Sequence, residues 1–332
     1  MKWSIAGLFC VLVACSEAKV LFREGNDLPL LEGSVCPPPE LISPCTCFIN
    51  TDREYANRVT AQCSNFTNSQ DLAEIFTKNP NWNIQDVHID GAVMPYIPAV
   101  MFEEAVFQSL NVSSSTLQTL FDETPNTTQE LSLYMHNVKF LRGFQWSSIA
   151  RANLKELWAC NTDIWNFGLE FKKNIPIKVQ ALRFENTNTK KITDKAFENL
   201  KDLIIMTLKG GSIKVISRDM FPRPWNVTFL DLSFHKITIL SEDMFADMPG
   251  LKIFLFEGNL LRTLPGKAFT ENVLLNVRFF FVGNPLNCNC DMKWITVPGK
   301  IRHYFAGKCA EPESFKGKLL ASFNETDFSF CA

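Results

Sequence analysis

The feature that most constrains this chain is a repeat with a period of about 24 residues. From Leu251 to Phe269 the sequence reads L-x-x-F-x-F-x-x-N-x-L-x-x-L-P-x-x-x-F. Stepping back 24 residues gives Val227, Leu230, Leu232, Ile237, Leu240 and Phe245 in the same slots. Two further steps give Leu203, Met206, Leu208, Ile213, Ile216 and Phe221, then Val179, Leu182, Phe184, Ile192 and Phe197. Earlier units begin at Leu154, Thr128, Phe107 and Ile84, with steps of 21 to 26, and Phe279, Phe281 and Asn284 make a final half-unit. Alternating apolar residues in each unit read as a short strand with one face turned inward. A single unit cannot bury that face, so stability must come from stacking on its neighbours.

This pattern resembles the leucine-rich repeat. The resemblance predicts an α/β solenoid: a horseshoe of about nine coils with a parallel sheet on its concave side. Phe102, Trp146, Phe197, Phe221, Phe245 and Phe269 recur at one slot and should stack as an aromatic spine behind the sheet, which takes up part of the 29 phenylalanines. The slot that usually holds asparagine reads Ala92, Ser115, His136, Thr162, Thr187, Gly211, His235, Asn259 and Asn284. Only the last two fit, so the N-terminal coils should be less regular.

The start of the chain predicts the compartment. Lys2, the apolar run Ile5–Ala14 and the small residues Ser16 and Ala18 form a secretory leader over residues 1–18. The sequons at Asn65, Asn111, Asn126, Asn226 and Asn324 suit a secreted glycoprotein. No later apolar stretch is long enough for a membrane anchor. A net charge of −2 leaves no basic footprint for nucleic acid. After a tail at 19–35, the expected units are a cysteine-rich cap at 36–83, repeats at 84–284 and a second cap at 285–332.

Cys36, Cys45, Cys47 and Cys63 precede the first repeat, and Cys288, Cys290, Cys309 and Cys331 follow the last. Two even groups of four in an oxidising compartment read as disulfides rather than zinc sites, and spacing alone allows three pairings per group. The groups resemble the flanking caps of extracellular leucine-rich repeat proteins. That family pattern implies Cys36–Cys47, Cys45–Cys63, Cys288–Cys309 and Cys290–Cys331, with a short helix around Trp294 sealing the C-terminal end. The opening Cys36-Pro37-Pro38-Pro39-Glu40, with Pro44-Cys45-Thr46-Cys47, is similar to a group of secreted arthropod proteins. That group includes the non-catalytic leucine-rich repeat subunit of Oplophorus-type luciferase. The resemblance implies an accessory or binding role without catalytic residues.

Two constellations carry residue types suited to chemistry. Asp231, Ser233 and His235 supply hydrolase residue types, but His235 falls in a turn and no nucleophile elbow is present. Asp86, His88 and Asp90 alternate along one strand, where same-face neighbours stand roughly 6.6–7 Å apart, too far for all three to hold one metal. Both read as solvated concave positions. No catalytic residue, metal or cofactor is expected.

The solvent-facing strand positions form two columns. One reads Asp86, Ser109, Glu130, Glu156, Ala181, Ile205, Phe229, Ile253 and Arg278; the next reads His88, Asn111, Ser132, Trp158, Arg183, Thr207, Asp231, Leu255 and Phe280. The first half is polar. Ile205, Phe229, Ile253, Leu255 and Phe280 should form one apolar patch, with Trp158 nearby, that binds a protein partner. A self-associating matrix component and a luciferase-complex subunit are the alternatives. Cys160 remains unmatched. It is either exposed beside Trp158 and Tyr134, as a free or chain-linking thiol, or buried as a small apolar residue.

Overall fold

The computed structural model describes residues 36–50, 58–78, 82–103, 106–127, 129–296 and 305–331. The expected leader and tail, residues 1–35, lie outside the described residues.

Twelve strands make one sheet, in chain order. They are β1 (Thr46–Ile49), β2 (Val59–Ser64), β3 (Asp86–Asp90), β4 (Ser109–Ser113), β5 (Leu131–His136) and β6 (Leu154–Cys160). The remainder are β7 (Ala181–Glu185), β8 (Ile205–Lys209), β9 (Phe229–Asp231), β10 (Ile253–Leu255), β11 (Arg278–Phe280) and β12 (Phe305–Ala306). Only β1 runs antiparallel to its neighbour; β2 to β12 are parallel. The fold is therefore a leucine-rich repeat solenoid. A parallel pair needs a crossover, and here each crossover is the outer half of a coil. That half is built of 3₁₀ turns and short helices such as Ser69–Thr77 and Leu169–Asn174.

The register corrects the phase of one coil. Ser132 pairs with Ser109 and Glu156, and Tyr134 pairs with Asn111 and Trp158. The concave positions of β5 are thus Ser132 and Tyr134, not Glu130 and Ser132. The unit starts two residues later than Thr128, and the ladder slot falls on Val138 rather than His136. Leu131, Leu133 and Met135 are the inward set. A two-residue slip preserves strand parity, so alternation alone could not reveal it.

The core is one continuous cluster from Ile42 to Cys331. Within it the expected spine forms in segments. Phe102 meets Phe121 at 5.6 Å, and Trp146 meets Phe171 at 4.6 Å. Phe197 stacks on Phe221 at 5.7 Å, and Phe245 meets Phe269 at 5.4 Å. Ring pairs of this kind add about 0.5–1.5 kcal/mol each beyond their area burial.

The ladder slot works with small hydroxyls where asparagine is missing. Ser115 Oγ accepts from the Ala92 N–H, and Thr162 Oγ1 accepts from the Val138 N–H. Asn259 and Asn284 do the same for Ile237 and Leu261, and donate to carbonyls of the previous coil. His235 fills the slot with a ring whose Nε2 lies 3.0 Å from the Leu208 carbonyl. The preceding slot is Gly211 for a steric reason: a Cβ there would sit 2.9 Å from His235 Cε1 and 2.6 Å from the Thr189 carbonyl oxygen.

Disulfides close both ends: Cys36–Cys47 and Cys45–Cys63 before the repeats, Cys288–Cys309 and Cys290–Cys331 after them. Trp294, on the 3₁₀ segment Cys290–Thr296, stacks on Phe269 at 4.7 Å and donates to the Leu264 carbonyl. The last coil thereby gains an apolar lid instead of open water. No helix among the described residues is long and apolar enough to cross a membrane.

Candidate binding surface

Three zones follow one another across the concave face. At the N-terminal end, Asp86 is held by Arg58 at 2.8 Å and by the Ser109 hydroxyl, and Asp90 accepts from Ser113 Oγ at 2.6 Å. Burial pushes the His88 imidazole below its usual pKa, partly opposed by Asp86. Asn111, the sequon on this zone, is half-buried in β4. The sequons at Asn65, Asn126, Asn226 and Asn324 all stand at exposed positions.

The middle zone is an aromatic and charged cluster around the expected neighbours Tyr134 and Trp158. Tyr134 and Trp158 meet edge to face at 6.3 Å, and the Arg183 guanidinium lies 5.9 Å from the Trp158 ring. Glu156 binds Arg183 Nε at 3.1 Å and accepts from the Tyr134 hydroxyl at 3.3 Å. The corrected register is what brings Tyr134 beside Trp158. Cys160 lies in the same strand, between His136 and Glu185, but only 2% of it is exposed. It is disulfide-bonded. Of the two expectations for Cys160, burial holds, and the exposed free or chain-linking thiol is corrected.

The third zone is apolar. Ile205, Phe229 and Ile253 pair in register across β8, β9 and β10, and Leu255 pairs with Phe280 of β11. All five side chains are half-buried. Each therefore keeps a face in solvent while its neighbours hold it in place.

Asp231 sits inside this apolar zone, between Thr207 and Leu255. Burial raises its carboxyl to about 6, although the Ser233 N–H donates to Oδ1 at 2.9 Å. Glu185 and Glu257 are also raised by burial, with Lys209 pulling both back. The triad geometry is absent. His235 faces the Leu208 carbonyl, burial lowers it to about 4, and Ser233 Oγ accepts from the Glu257 N–H. These groups join coils to one another.

No family model matches the chain. It is 24% identical over 312 residues to trophoblast glycoprotein of Macaca fascicularis, covering 90% of this chain and 70% of that protein. Among solved structures it is similar to a chain of the octameric complex of latrophilin 3, Unc5D and FLRT2, whose leucine-rich repeat portion is FLRT2. That match has a TM-score of 0.55 and 18% identity, over 79% of this chain and 88% of that one. Human trophoblast glycoprotein 5T4 matches with a TM-score of 0.48 and 15% identity, over 85% of this chain and 97% of that one. With the twelve-stranded sheet and the paired cysteines, this chain is a leucine-rich repeat protein with a disulfide-bonded, cysteine-rich cap at each end.

Proposed function

We propose that this is a secreted, non-catalytic protein that binds a protein partner through its concave face. The observation that carries the reading is the run Ile205, Phe229, Ile253, Leu255 and Phe280, adjacent in register and each keeping a solvent face. Contiguous apolar surface of this kind usually has a use. Trp158 and Tyr134 extend it toward the middle of the face with the residue types that dominate binding energy. The four cap disulfides support an oxidising, extracellular setting. The similar FLRT2 chain was solved in complex with two other proteins, which supports the same class of role.

A second reading rests on the cap sequence Cys36-Pro37-Pro38-Pro39-Glu40: the non-catalytic subunit of a secreted luciferase-type complex. Capture from native secretion followed by mass spectrometry separates the two. A small oxidase as the main partner favours the luciferase-type reading. An unrelated protein favours the general one, and recovery of this chain alone points to a self-associating matrix component. In either binding role, Phe229→Asp should weaken capture at least about thirtyfold, since buried aromatic anchors contribute roughly 2 kcal/mol or more. Secretion should be unchanged, because Phe229 is not part of the buried core. Undiminished capture by that variant contradicts the reading.

A further inference from the structure

Each coil turns out of its concave strand through a residue with positive φ. The series is Gly91, Ser114, Asn137, Asn161, Asn186, Gly210, Phe234, Gly258 and Gly283. Glycine and asparagine tolerate that conformation; a bulky side chain does not adopt it without strain. Phe234, at φ 59°, is the one large residue in the series, and it is 47% exposed. Its ring gains little burial to offset the strain. It leans over Gly258, where a Cβ would come within 2.8 Å of Phe234 Cε1, and Lys209 Nζ lies 5.7 Å from its centroid. A strained side chain held open to solvent marks a candidate functional site.

Phe234 forms one wall of a cleft on the rim where the strands run out into the loops, outside the concave face. Trp165, 57% exposed, is also on its lining, and the other lining residues are polar or glycine. The cleft is shallow and open to solvent, with a volume of about 550 Å³, within the range of small-ligand sites. Its floor is Asn186, Asn188 and Gly210–Ser212, and Lys190 and Lys236 complete the lining. Neither lysine pairs with a carboxylate among the described residues; Lys190 Nζ instead lies 5.8 Å from the Trp165 centroid.

The floor decides between ligand classes. The N–H groups of Gly210, Gly211 and Ser212 already donate to the carbonyls of Ser233, Phe234 and Thr189. Those three backbone donors are therefore closed to an extended peptide. Recognition then rests on the two aromatic rings, a hydroxyl, two ammonium groups and the oxygens and second N–H of the side-chain amides, since Asn186 Nδ2 already donates to Asn161 and Asn188 Nδ2 to the Asp163 carboxylate. A pyranose ring matches that set: its C–H face packs on an aromatic ring and its hydroxyls meet the amides. The lysines add a preference for negative charge. From this we infer that the Trp165–Phe234 cleft binds an acidic oligosaccharide, bearing carboxylate or sulfate on its sugars.

The test uses the full secreted chain and Phe234→Asn, which installs the residue found at this slot in three other coils. The variant should melt at the same temperature as wild type or higher, because strain is released. Binding is measured by calorimetry with a heparin-derived octasaccharide, a hyaluronan octasaccharide and a neutral dextran of equal length. Wild type should bind one or both acidic sugars and not dextran. Phe234→Asn should lose at least about tenfold in affinity, and Lys190→Gln with Lys236→Gln should flatten the salt dependence. A sulfated sugar alone identifies sulfate as the recognised group; hyaluronan binding identifies carboxylate. Binding of neither sugar, equal binding of dextran, undiminished affinity in Phe234→Asn, or binding of an acidic peptide in place of the sugars would overturn the assignment.

Discussion

At the scale of single residues, two buried groups of one coil titrate against each other. Asp231 is raised to about 6 from 3.8, and His235 is lowered to about 4 from 6.5, in both cases because burial penalises the charged form. A carboxyl raised on folding adds stability below its unfolded value and loses it as pH climbs toward 6. A histidine lowered on folding adds stability above 6.5 and loses it as pH falls toward 4. Between pH 4 and 6 the two slopes oppose, each about 1.4 kcal/mol per pH unit. Asp231→Asn should therefore deepen the loss of stability from pH 6 to pH 4 by about 2–3 kcal/mol. His235→Asn should shrink it by a similar amount. Urea denaturation at the two pH values measures both, and parallel changes in the two variants would contradict the assignment. Nothing in the 24-residue period announces this pair. The pattern marks His235 as a ladder substitute and Asp231 as a strand residue, but the burial of each depends on the neighbouring coils.

At the scale of the element, each coil is fixed to the next by side chains that reach backbone carbonyls. Arg218 is the strongest case, with 1% of its surface exposed. Its Nε donates to Ala246 O and its Nη2 to Pro222 O, both at 2.7 Å, which ties one outer turn to the following coil. Burial lowers its pKa to about 10, so it stays charged at neutral pH. Arg218→Met should cost about 2 kcal/mol or more by orphaning these acceptors, and Arg218→Lys should recover part of it; thermal melts of the three proteins check the order. Sequence reasoning missed Arg218 because a charged residue in an outer turn reads as exposed. It also placed the coil after Phe107 two residues early. That coil lacks a good consensus between Thr128 and Val138, whereas the units from Val179 onward fill every apolar slot and sat in register without correction. For that reason Tyr134 was left out of the solvent-facing columns although it was placed beside Trp158, and Phe234 was missed for another: positive φ cannot be read from a phenylalanine.

At the scale of the whole molecule, a solenoid has no single core to fall back on, and its ends are where it opens. The C-terminal lid of Trp294 and Phe305 covers Phe269, Phe279 and Phe281. The Cys290–Cys331 bond ties the 3₁₀ segment bearing Trp294 to the segment around Cys331. Replacing both cysteines by serine should cost about 3 kcal/mol and raise binding of an apolar dye, with the loss starting at this end. Protease cleavage confined first to residues 285–331 would show it; an unchanged melt and digestion pattern would mean the lid stands without the bond.

In the proposed role the partner seats on the apolar and aromatic half of the concave face. Hydroxyl-radical footprinting of the native complex against the isolated protein tests it most directly, since aromatic side chains report their own exposure. Phe229, Phe280, Trp158 and Tyr134 should be protected in the complex, while Trp165 and Phe234 on the rim react as before. Protection confined to the rim or the outer turns, with Phe229 and Phe280 as reactive in the complex as in the isolated protein, would mean that the partner sits elsewhere.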